Sequence, residues 1–147
     1  MLDIKKIGII GAGAMGTGIA QVAATAGLEV VLEDVGEGSL ERAMETMDKS
    51  LSKLIEKEKI KEEKDVILAR IETTAAFTGL QETDIVVEAV FEDLEVKKNV
   101  LVEVDKLLPK EVILTSNTSS ISITRLAALT SRPEKFMGMH FMNPVPL

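Results

Sequence analysis

Short runs of apolar, mostly β-branched residues alternate along the chain with longer segments whose apolar residues recur every three or four positions. The short runs predict buried strands, and the periodic segments predict amphipathic helices. This alternation favours parallel strands joined by right-handed crossovers, so we expect an α/β fold with a doubly wound, mostly parallel sheet. The predicted strands cover residues 5–10, 29–33, 71–74, 84–90, 111–115 and 135–141, and the predicted helices cover 14–26, 94–108 and 122–129.

The segment 39–70 is longer than a simple crossover requires. Residues 39–57 have the apolar spacing of one long helix, 56–64 mix glutamate with lysine, and the apolar spacing then resumes. We expect a helical hairpin over about 39–70 that leaves the body of the domain. Its charges are typical of a solvated surface, but its lysines could also meet the phosphates of a long substrate.

Composition and charge narrow the class of protein. The 147 residues suffice for one domain with a substantial core. A net charge of −7 disfavours binding to nucleic acid, and the chain has no cysteine. No apolar run approaches the roughly 20 residues of a membrane span, and the first residues lead directly into the first strand. We therefore expect a cytoplasmic protein with no membrane segment, no signal peptide and no metal site.

Three glycines follow the first strand with the spacing G-x-G-x-x-G. Gly11 allows a tight turn, Gly13 lets the main chain approach a pyrophosphate, and Gly16 lets the next helix lie close to the sheet. The amino-terminal N–H groups of that helix, which begins at Ala14 and Met15, would face the anion. The alternative is a plain strand–turn–helix unit without a ligand.

The second strand ends in an acidic pair whose second member is Asp34, about 20 residues past the glycines. A carboxylate at this point is placed to accept both ribose hydroxyls of NAD. It also favours NAD over NADP, because the nearest arginine, Arg42, is a helical turn or two away.

Polar residues follow the last three predicted strands, at the sheet edge where ligands of such folds bind. His140 is the only histidine and the first candidate for a general base. Each residue also has a structural interpretation: a histidine in the core, a helix cap at Ser116–Ser120, and surface charges elsewhere. The polar residues are Glu88, Glu92 and Lys97 after the fourth strand, Ser116–Ser120 after the fifth, and His140 and Asn143 after the sixth.

Four strings of residues resemble one family over essentially the whole chain: the amino-terminal domain of L-3-hydroxyacyl-CoA dehydrogenases, including bacterial 3-hydroxybutyryl-CoA dehydrogenases. The resemblance implies a Rossmann fold, NAD as cofactor and an acyl-CoA thioester as substrate. The third and fourth strings are more discriminating than the glycine motif. The strings are Gly11–Gln21, Val87–Glu92 with Lys97, Ser116–Ser120 and His140–Pro146.

The resemblance also implies a role for individual residues. His140 would take the proton of the 3-hydroxyl group while hydride leaves C3, and Ser119 would bind the substrate oxygen and the nicotinamide ribose. Asp34 would hold the adenosine ribose. The other implied contacts are Gly11, Gly13, Ala14, Met15 and Gly16 with the cofactor, Glu92, Lys97 and Asn143 at its nicotinamide end, and Ser50 and Lys57 with coenzyme A.

In the resembling family the chain continues past the Pro-Val-Pro turn to a glutamate that orients the histidine, and then to a helical domain that covers the acyl chain and forms the dimer. This sequence stops at Leu147. We therefore expect a cofactor-binding half with little turnover alone. The helical domain would come from the same gene or a separate chain, and the complete enzyme would be a homodimer.

Two other functions stay open on the sequence. One is a dehydrogenase of a small hydroxy acid, which would need no hairpin that binds coenzyme A. The other is a non-catalytic NAD-binding module, in which Ser119 and His140 could be replaced without consequence.

Overall fold

The computed structural model describes residues 3–147. The prediction of a direct entry into the first strand extends to residues 1 and 2, which lie outside the described residues. The strands are β1 Lys6–Ile10, β2 Glu29–Glu33, β3 Ile71–Thr74, β4 Ile85–Glu88, β5 Ile113–Ser116 and β6 Phe136–Gly138. The helices are α1 Ala14–Thr25, α2 Ser39–Glu56, α3 Lys64–Leu68, α4 Leu94–Leu107 and α5 Ile123–Ala127, with 3-10 turns at Phe77–Leu80 and Pro133–Lys135.

The strands form one sheet in the order β3-β2-β1-β4-β5-β6, and every neighbouring pair is parallel. The chain moves to one side of β1 through β2 and β3, and to the other side through β4, β5 and β6. This reversal opens a crevice beyond the carboxyl ends of β1 and β4, where ligands of doubly wound sheets bind. The predicted fold class is confirmed.

Both faces of the sheet are buried, which explains why its strands are continuous apolar runs. Ile9 packs in the cluster under α1, and the next residue, Ile10, packs in the cluster under α4. In the same way, Leu32 packs in the cluster under α1 and Val31 packs in the cluster under α4. Alternation along each strand thus supplies two apolar layers from one run of residues.

The predicted hairpin is present as α2 and α3, but it does not leave the body of the domain. Met47 and Leu51 of α2 and Ile67 of α3 are fully buried in the core that includes α1. Because the apolar side of a helix must be covered, the hairpin lies against α1 and adds a layer to the domain. Only its turn and outer faces meet solvent, and the ion pair between Lys64 and Asp48, at 2.8 Å, joins its two arms.

The last strand is shorter than predicted. β6 ends at Gly138, and the N–H of Met139 donates a hydrogen bond to the carbonyl of Ser116. The chain then leaves the sheet edge and crosses α1, where Val145 packs against Gly18. His140 therefore lies in a loop above the sheet and outside the strand. Within residues 3–147, no helix is long and apolar enough to cross a membrane.

Candidate active site

The glycine loop between β1 and α1 is closely packed on one side and open on the other. Gly11 has a φ of +102°, and a side chain there would meet the carbonyl oxygen of Ala89 at 2.8 Å. A side chain at Gly16 would overlap the carbonyl of Gly11. At Gly13, in contrast, a Cβ atom would meet nothing within 4 Å. The fold therefore requires Gly11 and Gly16, whereas Gly13 leaves space over the amino terminus of α1 for a ligand.

Asp34 lies beside this loop, as predicted. Its Oδ2 accepts a hydrogen bond from the N–H of Ala12 at 2.7 Å, and its Oδ1 accepts one from the N–H of Gly36 at 2.6 Å. Each carboxylate oxygen can accept a further hydrogen bond, so the group can bind a vicinal diol without losing its place in the loop. Arg42 donates instead to the carbonyl of Glu37 at 3.2 Å and to Ser39 Oγ at 3.3 Å.

Glu33, the residue before Asp34, is buried at the end of β2. Burial, with the nearby negative charges of Asp34 and Glu103, raises its pKa to about 7. A buried carboxyl next to Asp34 therefore titrates near neutral pH. The sequence did not assign this residue a role.

A cavity of about 330 Å³ brings together four of the residues that the sequence assigned to the nicotinamide end and to the chemistry. They come from three separate loops, after β4, after β5 and after β6. Met15, from the first turn of α1, also faces this space, so the cavity adjoins the glycine loop. The four are Glu92, Ser119, His140 and Asn143, and Asn117, Phe141 and Met142 complete the lining.

Glu92 is held by the loop after β5. Thr118 Oγ1 donates to its Oε1, and the N–H of Ser119 donates to its Oε2 at 3.2 Å. Partial burial pushes the pKa of Glu92 upward. The hydrogen bonds from Thr118 and Ser119, with Lys97 and His140 nearby, more than offset this and leave the pKa below its ordinary value. The carboxylate is therefore ionised at neutral pH and acts as an acceptor.

The His140 side chain is exposed at the cavity, which excludes a histidine packed in the core. Its loop is fixed through the neighbouring residue, since the N–H of Phe141 donates to Asn117 Oδ1 at 2.8 Å. None of the hydrogen bonds among residues 3–147 involves the imidazole ring. Asn117 was not among the predicted site residues, although it lies within Ser116–Ser120, the polar segment after the fifth strand.

Lys97 does not reach this cavity. It is absent from the cavity lining, and its ammonium group donates to Glu88 Oε1 at 2.8 Å, Glu88 Oε2 at 2.5 Å and the carbonyl of Val90 at 3.2 Å. These bonds use all three of its protons. In this structure the ammonium group binds Glu88 and Val90, and the expected contact of Lys97 with the cofactor stays a prediction.

Ser50 and Lys57 line one groove of about 690 Å³ between α1, α2 and residues 143–147. Ser50 Oγ accepts a hydrogen bond from Gln21 Nε2 of α1 at 2.9 Å. The groove begins at the glycine loop, since Ala12, Gly13 and Ala14 are in its lining. Its wall carries four cationic side chains in a protein of net charge −7: Arg42, Lys49, Lys53 and Lys57.

Comparison with known proteins identifies the family to which a chain with this arrangement belongs. The family described as "3-hydroxyacyl-CoA dehydrogenase, NAD binding domain" matches residues 6–147. The chain belongs to this family. A 3-hydroxybutyryl-CoA dehydrogenase of Bradyrhizobium diazoefficiens is 50% identical over 145 residues, which are 98% of this chain and 50% of that protein. A fatty acid oxidation complex subunit alpha of Idiomarina loihiensis is 46% identical over 144 residues, 97% of this chain and 20% of that subunit.

Among solved structures, (S)-3-hydroxybutyryl-CoA dehydrogenase of Ralstonia eutropha superposes with a TM-score of 0.95 at 47% identity, over 99% of this chain and 52% of that chain. The resemblance seen in the sequence and the NAD cofactor are thus confirmed. The chain spans about half the length of the 3-hydroxybutyryl-CoA dehydrogenases that it matches.

Proposed function

We propose that this chain is the cofactor-binding part of an enzyme that interconverts 3-hydroxyacyl-CoA and 3-oxoacyl-CoA with NAD. The observation that carries the proposal is the meeting of Glu92, Ser119, His140 and Asn143 in one cavity beside the glycine loop. Four polar residues from three loops converge there, and they include an ionised carboxylate and an exposed imidazole. A plain structural role for these residues does not require such convergence.

The residues present fit a dinucleotide. The open face at Gly13, continuous with the N–H groups of α1, suits the pyrophosphate, and Asp34 suits the adenosine ribose. Glu92 and Asn143 would contact the nicotinamide end. When bound, NAD supplies the hydride acceptor. The residues of this chain hold it in place, and its ring would face the His140 cavity.

In the oxidation direction, an unprotonated ring nitrogen of His140 takes the proton from the 3-hydroxyl group. The C3–H bond breaks with its electron pair leaving as hydride, and the remaining oxygen forms a C=O bond with C3. Ser119 Oγ donates a hydrogen bond to this oxygen and fixes its direction. Removal of the proton as hydride leaves relieves the positive charge that builds at C3. In reduction, protonated His140 returns the proton.

The groove between α1 and α2 suits the phosphates of coenzyme A. Its four cationic side chains lie on one wall, and Ser50 and Lys57 are within the same lining. A small hydroxy acid would need neither this volume nor this charge. The groove therefore favours an acyl-CoA substrate over the small-acid alternative.

The activity requires more than residues 3–147 provide. The His140 ring has no hydrogen-bond partner among them, and an unoriented imidazole loses orders of magnitude in rate. We therefore propose that a carboxylate from a carboxyl-terminal helical domain orients it and that this chain alone binds NADH with little turnover. The homodimer of the complete enzyme and the cytoplasmic location remain predictions.

Calorimetric titration tests the proposal. The chain should bind NADH, and acetoacetyl-CoA should then bind to the NADH complex. Lys57→Gln should weaken the acetoacetyl-CoA step about three- to tenfold and leave the NADH step unchanged, because one charge–phosphate contact is lost. Lys61→Gln is the matched control, since Lys61 lies on the same hairpin but outside the groove. Acetoacetyl-CoA binding that neither variant affects would contradict the proposed groove.

A further inference from the structure

A buried ion pair lies directly beneath the candidate active site. The Glu88 side chain is fully buried at the end of β4, and that of Lys97 is 2% exposed. Such a pair contributes little net stability, because the cost of removing two charges from water offsets their attraction. A pair of apolar residues would fill the same space at least as favourably. Its presence below the cofactor cavity suggests that it sets the position of groups above it.

One arm of hydrogen bonds runs from Glu88 to the loop after β5. Ser116 Oγ donates to Glu88 Oε1 at 3.0 Å and accepts from the N–H of Thr118 at 3.2 Å. All three residues are buried. The carboxylate therefore fixes the rotamer of Ser116, and Ser116 fixes the main chain at Thr118.

The arm ends on the residues that face the cavity. Thr118 Oγ1 donates to Glu92 Oε1, and the next N–H along the chain, that of Ser119, donates to Glu92 Oε2. A second, shorter arm joins Glu88 Oε2 to the N–H of Val90, at 3.2 Å, in the loop that leads to Glu92. Two loops that carry cavity residues are thus tied to one buried carboxylate.

We propose that Glu88 is a positioning residue which, through Ser116 and Thr118, orients the Glu92 carboxylate and the Ser119 main chain toward the nicotinamide end of the cofactor. The inference rests on the proposed function, because it takes Glu92 and Ser119 to face that end. Glu88 itself touches no ligand: it is completely buried, and its oxygens are taken by Lys97, Ser116 and Val90.

The test compares two ligands on the 147-residue chain. NADH occupies both halves of the site, whereas ADP carries the adenosine and pyrophosphate without the nicotinamide riboside. Ser116→Ala cuts the arm but keeps the Glu88–Lys97 pair, and we expect it to weaken NADH binding about fivefold while ADP binding stays within about twofold. Glu88→Ala removes both acceptor oxygens and therefore both arms, and it should show a larger loss with the same selectivity.

Thr115→Val is the matched control. Thr115 precedes Ser116 on β5, is equally buried, and donates its hydroxyl hydrogen to the carbonyl of Val86, away from the arm. It should leave both affinities within about twofold. A general loosening of the fold by Ser116→Ala would weaken NADH and ADP equally, and that result would overturn the inference, as would unchanged NADH binding. Failure of the unaltered chain to bind either ligand would instead contradict the proposed function itself.

Discussion

The carboxylate of Asp34 accepts a hydrogen bond from the main-chain N–H of Ala12 at 2.7 Å, and so joins the end of β2 to the glycine loop. The contact gives Asp34 two tasks, since the same carboxylate is proposed to hold the adenosine ribose. Its effects on loop stability and on cofactor affinity must therefore be measured separately.

Asp34→Ala should weaken NADH binding at least about tenfold, because two hydrogen bonds from the ribose lose their acceptor. It should also lower the melting temperature, since the N–H groups of Ala12 and Gly36 lose theirs. Asp93→Ala is the control. Asp93 caps α4 by accepting from the N–H of Val96, so its loss should cost about 1 kcal/mol of stability and leave NADH affinity unchanged. Equal NADH affinity in the two variants would contradict the assignment of Asp34.

Replacement of Gly13 and of Gly16 with alanine should have different effects on stability and on cofactor binding. Gly13→Ala meets no protein atom, so the melting temperature should hold while NADH binding falls about tenfold or more, because the methyl group takes space meant for the pyrophosphate. Gly16→Ala overlaps the carbonyl of Gly11, and it should lower the melting temperature by several degrees. Calorimetry and thermal denaturation of both variants check the two outcomes. Retained NADH affinity in Gly13→Ala would contradict a pyrophosphate at this loop.

Glu33 should make the stability of the fold depend on pH. Its pKa in the folded chain is about 7, against an ordinary value of 4.5, so between these values the folded chain holds a proton that the unfolded chain has lost. The contribution of this residue to the free energy of unfolding therefore falls as pH rises from 4.5 to 7. Glu33→Gln should remove this dependence and stabilise the chain by about 3 kcal/mol at pH 8, with little effect at pH 4.5. Urea denaturation at the two pH values measures it, and equal effects at both would contradict the burial of an ionisable Glu33.

Arg132 is the largest fully buried side chain of the described region, and it should carry much of the stability near α5. Its guanidinium group donates to Asp105 Oδ1 at 2.8 Å and to four main-chain carbonyls of the segment 105–112, which includes the end of α4. Arg132→Ala should cost about 3–5 kcal/mol, because a buried carboxylate and four carbonyls lose their donor. Arg125→Ala, at an exposed position of α5, should cost little in the same urea titration. Similar losses for both variants would contradict this role.

Local spacing was enough to predict the glycine loop, Asp34 and most strand and helix positions. Gly11 and Gly16 act within a few residues of themselves, and β2 was predicted with its observed bounds, 29–33. Local patterns fail where a side chain is satisfied by distant groups. Nothing in the sequence near Arg132 indicates that its partners are the carbonyls at the end of α4, more than 20 residues earlier.

Two further features depend on contacts between residues that are distant along the chain. The spacing put Lys97 one turn into α4, and in the structure its ammonium group donates to the buried carboxylate of Glu88. The length of the segment 39–70 predicted a hairpin that leaves the domain, whereas burial of Met47 and Leu51 against α1 holds it to the domain. The order of Glu92, Ser119, His140 and Asn143 along the chain predicted their meeting, because the ends of parallel strands share one edge.

The most direct measurement follows the two carbon-bound ring protons of His140, Hδ2 and Hε1, by nuclear magnetic resonance, since the chain has a single histidine. We predict that NADH shifts these signals, that acetoacetyl-CoA added to the NADH complex shifts them further, and that ADP leaves them in place. A histidine that ADP moves as much as NADH does, or that neither NADH nor acetoacetyl-CoA moves, would contradict a nicotinamide and substrate site at His140.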